Sequence, residues 1–97
     1  MPQIIVNAMD EYHFQVTVIG SSNTSHTKTT HTKTTHKVTI QPDYALKLTA
    51  GKITNAQLVE KSFVFLLERE ANTSIMPNFD LSVIARYFPE YESIIAR

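Results

Sequence analysis

The sequence predicts an α+β domain: a small antiparallel β-sheet of two or three strands, followed by three or four helices packed on one of its faces. Three observations carry this. Residues 12–19, YHFQVTVI, alternate apolar and polar side chains with period two, the pattern of a strand with one buried side. HKVTI at 36–40 repeats it. After Ile40 the apolar residues recur at helical spacing instead, and strands followed by helices segregate into an α+β arrangement. Residues 1–97 form one domain, with a hairpin region over 1–41 and a helical region over 42–97.

In the first strand Tyr12, Phe14, Val16 and Val18 share a face, and His13, Gln15 and Thr17 share the other. In the second, Val38 and Ile40 point inward and Lys37 and Thr39 outward. The two are expected to pair as antiparallel neighbours. QIIV at 3–6 supplies a third strand, which is wanted because an isolated two-stranded ribbon is marginal in water.

Between them lies HTKTTHTKTTHK (26–37), a five-residue unit written twice and begun a third time. The connection over 20–35 is long for a hairpin, and identical tandem units point to a duplication that lengthened one. Threonine favours extended backbone, so the strands either continue outward as a polar ribbon or leave a mobile segment. A metal site would need His26, His31 and His36. Five-residue spacing puts the middle histidine on the opposite face of a strand, and on a helix it also fails to converge. No acidic residue lies between Ser21 and Lys37 to complete a shell, so no metal and no cofactor are expected. A nucleic-acid arm would use Lys28, Lys33 and Lys37. Three lysines without arginine or interleaved aromatics make a weak footprint. The favoured reading is a solvated hairpin extension.

The helical half begins at Pro42, carries Tyr44 and Leu48, and stops at Gly51, a natural left-handed cap. In ITNAQL (53–58), Thr54 and Gln57 have the spacing of a capping box, with Ile53 and Leu58 placed as a hydrophobic staple. The helix then runs to about Glu70, with Leu58, Val59, Ser62 and Phe63 on one stripe. FVFLL (63–67) is apolar on every azimuth and must be covered on more than one side. ANTSIMPN (71–78) is a loop. Asp80 is expected to cap a helix over Leu81, Ile84 and Phe88, with Phe79 and Ile84 as its staple, ending before Pro89. Tyr91, Ile94 and Ile95 mark a last short helix.

SFVFLLERE (62–70), followed by SIMPNFDLSVIARYFPEYE (74–92), resembles a small bacterial protein family of unassigned function. The resemblance covers nearly the whole chain and implies a shared fold. It brings no activity, cofactor or site residue. The long repeat-bearing connection departs from the family pattern, which joins the two strands by a shorter one.

Composition narrows the function. Nine basic and nine acidic residues cancel, leaving no global field for nucleic acid or an anionic membrane. The absence of cysteine removes disulfides and thiolate chemistry. No secretory signal or apolar membrane-spanning run is visible, so a cytoplasmic protein is expected. The sequons at Asn23 and Asn72 are read as coincidence. No phosphate loop or nucleophile elbow is present, and the chain leans away from an enzyme. His13 reads as a solvated strand residue, and Glu68, Arg69 and Glu70 as a salt-bridged helix end. Arg69 or Arg86 is placed to anchor Asp80 or the C-terminal segment.

What remains is binding. ARYFPEY (85–91) sets three large aromatics beside a proline and an arginine, a composition enriched at interface hot spots. Phe65, Tyr87, Phe88 and Tyr91 are the interface candidates, against the competing expectation that such aromatics plug the core. An unpaired strand edge offers a second docking route. The expected function is a non-enzymatic protein–protein interaction module, regulatory or accessory, and homodimeric. The alternative is a nucleic-acid-associated protein using the Lys/Thr/His-rich arm.

Overall fold

The computed structural model describes residues 3–24 and 28–96, and the side chains of 21–24 and 28–31 lie outside the described part. The expectations for His26, for the side chains of Lys28 and His31, and for the sequon at Asn23 therefore fall outside it. Four strands form one sheet in the order β1 (Gln3–Ala8), β2 (His13–Thr24), β3 (Lys28–Thr39) and β4 (Asn78–Asp80). The first three are antiparallel neighbours, as alternation predicts. The fourth is an addition: Asn78–Asp80 lies parallel to β3, so the sheet is mixed. Lys37 N donates to Pro77 O (2.8 Å) and Leu81 N to Thr39 O (2.8 Å), fixing both ends of this short strand.

The β2–β3 ladder runs without a break from the pair His13–Thr39 to Thr24–Lys28. Of the two expectations for the long connection, the ribbon is the one observed. Its even-numbered residues face the core: Phe14, Val16 and Val18 of β2 with Val38 and Ile40 are all buried. Among the described residues the helices cover this side alone.

Helix α1 (Pro42–Thr49) ends with two left-handed residues, Ala50 at φ 50° and Gly51 at φ 73°. The reversal thus starts one residue before the predicted glycine, where Ala50 N donates to Leu46 O (2.8 Å). Helix α2 (Asn55–Leu67) opens with the predicted capping box. Gln57 N donates to Thr54 Oγ1 (3.1 Å) and Thr54 N donates to Gln57 Oε1 (2.8 Å). Leu58, Val59, Ser62 and Phe63 are fully buried. In the all-round apolar segment Phe65 and Leu66 are buried too, and only Val64 faces out, at 48% exposure.

Asp80 differs from expectation. It closes β4 rather than capping a helix, and its Oδ1 accepts from Ser82 N (3.0 Å) and Ser82 Oγ (2.8 Å). This is the local turn that a short acidic side chain favours. Burial pushes the Asp80 carboxyl up, but hydrogen bonds from Gln41 and Ser82 outweigh it and hold the group below the usual range. Helix α3 (Val83–Tyr87) is consequently only five residues long. Pro89 ends it by forcing Phe88 to φ −130°, ψ 89°. Helix α4 (Tyr91–Ile95) buries Tyr91 and Ile95.

The repeat contributes to the core, which the solvated reading did not foresee. Thr32, Thr34 and His36 face inward and meet the 71–77 segment, which contains a 3-10 turn at Asn72–Ser74. Thr32 Oγ1 donates to Asn72 Oδ1 (3.2 Å), and Asn72 Nδ2 donates to Thr34 Oγ1 (3.1 Å). His36 Nδ1 donates to Met76 O (2.8 Å), since a carbonyl only accepts. Its Nε2 then accepts the Thr34 hydroxyl (2.8 Å). The tautomer protonated on Nδ1 satisfies the whole seam, and the imidazole lies 5.4 Å from the Phe63 ring. Asn72 is buried, so its sequon has no accessible amide in the folded chain.

Gly20 makes room for this seam. A Cβ there would fall 2.7 Å from Asn72 Oδ1. Gly20→Ala is expected to cost about 1–3 kcal/mol of stability. In an Asn72→Ala background the cost should largely vanish. A urea-denaturation double-mutant cycle reads this, and additive costs would refute the assigned clash.

Candidate protein-docking site

The four predicted interface aromatics divide. Phe65 (2% exposed) and Tyr91 (0%) are core residues, which corrects their assignment to an interface. The physical reason is that α2 and α4 are held together by aromatic edges. Phe65 meets Tyr91 with ring centroids 5.2 Å apart and Phe88 at 5.8 Å, both edge-on. The Ser62 hydroxyl donates to Leu58 O (2.7 Å), which leaves the Tyr91 hydroxyl as donor to Ser62 Oγ (2.6 Å). Burial pushes the Tyr91 phenol well above its usual range. The Arg69 guanidinium caps the cluster, 3.6 Å over the Phe65 ring, with Nη1 donating to Phe65 O (3.0 Å). Its Nε lies 3.8 Å from Glu90 Oε2, so Arg69 does anchor the C-terminal segment.

Tyr87 is the outward member, 68% exposed, and Phe88 is half-buried. They diverge because Tyr87 is the last residue of α3, whereas Phe88 has left helical geometry and turned back toward Phe65. Between α3, the end of α2 and the returning segment 75–79 lies a groove of about 390 Å³. Its walls are Leu66, Ile75, Met76, Phe79, Ile84 and Tyr87, with Phe88 at one end. Met76, 39% exposed, and Tyr87 form the lips. Glu70 is the only charged lining residue, and among the described residues it has no ion-pair partner. The shape, an apolar concavity with one acidic rim group, suits an apolar side chain from another molecule better than a reacting polar substrate.

A second hollow of about 470 Å³ runs beside Val64 and includes Ile53, Ile94 and Glu68 with several polar neighbours. His13 and Arg86 line neither hollow, and Glu68 lines only the second. His13 Nδ1 is held by Asp10 at 2.8 and 3.0 Å, and the bond to His13 keeps the exposed Asp10 carboxyl below its usual range. Glu92 takes a hydrogen bond from Lys47 Nζ (2.9 Å) and another from Tyr44 Oη (2.8 Å). These two bonds, Lys47's first, depress its carboxyl, and the site reads as a tie between α1 and α4. Among the described residues no cluster of His, Asp and Glu has metal-binding geometry. Lys33 and Lys37 are exposed on the sheet face away from the helices.

Sequence reasoning missed His36, Asn72 and Met76 as structural or lining groups. His36 had a signal, since the alternation in HKVTI sets it on the same face as Val38 and Ile40. Asn72 and Met76 had none, because they gain their places from contacts about forty residues away in sequence. No family model, curated protein or solved structure matches the chain. No helix among the described residues is long and apolar enough to cross a membrane.

The division of the aromatics has a direct test. Tyr91→Ala should cost about 3–5 kcal/mol of unfolding free energy. Tyr87→Ala should stay within about 0.5 kcal/mol of wild type. Equal costs would show that Tyr87 closes the core.

Proposed function

We propose that this chain is a non-enzymatic protein–protein interaction module, a regulatory or accessory subunit that works as a homodimer and docks a partner in the Met76–Tyr87 groove. The observation that carries the reading is the groove itself: a concave apolar surface whose lips, Met76 and Tyr87, remain exposed in a chain that buries Phe65 and Tyr91. Exposing a tyrosine and a methionine beside an open hollow fits a surface awaiting a partner. The occupant that matches is an extended or helical segment with one apolar anchor beside a basic residue, the base answering Glu70.

Short peptides with a single Phe or Leu between two lysines are the probe. Titrated into the isotopically labelled protein, they should shift the amide signals of Met76, Phe79 and Tyr87. Glutamate-flanked controls should shift them far less, and Glu70→Lys should reverse the preference. Absence of groove shifts with either peptide would reject the docking site.

One observation supports a second reading, nucleic-acid association through the ribbon. The ladder extends regularly as far as Lys28, and Lys33 and Lys37 project from one side of it. β-Ribbons of this kind enter grooves in duplex DNA. Salt-sensitive binding to duplex DNA, lost when Lys28, Lys33 and Lys37 are all replaced by glutamine, would favour it. Binding that survives the replacement, or none at all, would dismiss it.

A further inference from the structure

Strand β1 is the sheet edge at which a second copy of the chain fits, an inference that rests on the homodimer reading above. The hydrogen-bond pattern shows which backbone groups are free. Met9 N donates to His13 O (2.8 Å), whereas Ile40 N donates to Tyr12 O (2.9 Å). Odd-numbered residues of β2 therefore bond toward β1 and even-numbered ones toward β3, since the direction alternates along an antiparallel strand. Carried through the register Gln3–Ile19 to Ala8–Phe14, this turns Gln3, Ile5 and Asn7 toward β2. Ile4, Val6 and Ala8 direct their N–H and C=O groups off the sheet, and among the described residues β1 has no neighbouring strand on that side.

Edge strands in soluble proteins carry a charge, a proline or a bulge that deters pairing. Gln3–Ala8 has none of these: QIIVNA holds no charged residue and no proline, and its register with β2 is unbroken. Ile5 stands 38% exposed on the open face of the sheet, and Ile4 and Val6 are only half-buried on the helix side. The other free backbone is less suitable. β4 is three residues long, and the outer stretch of β3 carries Lys28 and Lys33.

We infer that two copies join β1 to β1 in antiparallel sense about a two-fold axis at Val6, making one eight-stranded sheet. In that register Ile4 faces Ala8 of the second copy and Val6 faces its own mate. Every free donor and acceptor of Ile4, Val6 and Ala8 is then used, and the residues opposed on the helix side are all apolar. A second copy suits this edge better than an unrelated strand because the antiparallel match is automatic and closes the assembly. Pairing β1 with β4 of a second copy would be head-to-tail, short and open-ended.

Light scattering over a wide concentration range, joined to cysteine cross-linking, tests this. The wild-type chain should show about twice its 11.0 kDa mass. Ala8→Pro removes only an outward N–H, and Ile5→Lys sets a charge beside the axis on the open face. Each should halve the mass while far-ultraviolet circular dichroism stays native, and Tyr87→Ala should leave the dimer intact. The chain has no cysteine, so Val6→Cys introduces a single thiol. Opposed Cα atoms in a bonded antiparallel pair lie about 5.5 Å apart, within disulfide reach. Mild oxidation should therefore cross-link Val6→Cys into a covalent dimer and leave Gln3→Cys without a cross-link. A wild-type dimer that persists in both edge variants, or one that Tyr87→Ala dissociates, overturns the β1 assignment and leaves the homodimer reading standing. A wild-type monomer at every concentration removes that reading itself, and the β1 pairing with it.

Discussion

The docking of the 71–79 segment against β3 is the interaction on which the rest of the molecule depends. After two helices the chain must return to the sheet, and it does so through one short polar seam. Asn72, Thr34, His36 and the Met76 carbonyl satisfy one another beneath the sheet. Lys37 N then takes Pro77 O and begins the parallel pairing of β4. A buried polar group left without a partner would cost more than the bond contributes when made, so the seam admits one arrangement and rejects slipped ones. That selectivity matters in a ribbon of repeated sequence, where a shifted register would otherwise differ little in composition. Shifting by one repeat unit, an odd number of residues, would also exchange the two faces of the strand.

From this return follow both the core and the groove. Phe79 arrives beside Phe63, with ring centroids 6.1 Å apart, and Leu81 is fully buried in the turn that follows. The chain has then used most of its apolar residues, and α3 is too short to close over what remains. Pro89 sends Phe88 inward to the Phe65 edge and leaves Tyr87 outside. The same small set of aromatics thus seals one side of α2 and leaves a hollow at its end. Stability and the open surface come from one geometric compromise, in which a five-residue helix cannot turn all its apolar residues inward.

The sheet has a corresponding asymmetry. Its helix side is filled and satisfied, with no buried polar side-chain atom left unpaired among the described residues. Among the described residues no layer covers its opposite face, and Gln3–Ala8 at the β1 edge holds no charged residue. The ribbon extends the central pair beyond the strands on either side and carries the lysines. Binding, wherever it occurs, therefore has three physically different surfaces to use: an apolar groove, a bare backbone edge and a basic arm.

Local chemistry alone determined much of the architecture. Period-two alternation fixed which side of β2 and β3 is buried, Thr54 and Gln57 fixed the start of α2, and Pro89 fixed the end of α3. These are legible because each is decided by neighbours within a turn or a pleat. Only the tertiary structure decided that Asn78–Asp80 would become a strand, that Asn72 would be buried, and that Phe65 and Tyr91 would be core while Tyr87 stayed out. Those outcomes depend on partners about thirty or forty residues away, and an aromatic at helical spacing looks the same in sequence whether another helix or solvent meets it. His36 stands between the two cases. Its inward direction was written in the alternation of HKVTI, but the groups that make burial of an imidazole affordable, Thr34 and the Met76 carbonyl, are assembled only when the chain returns.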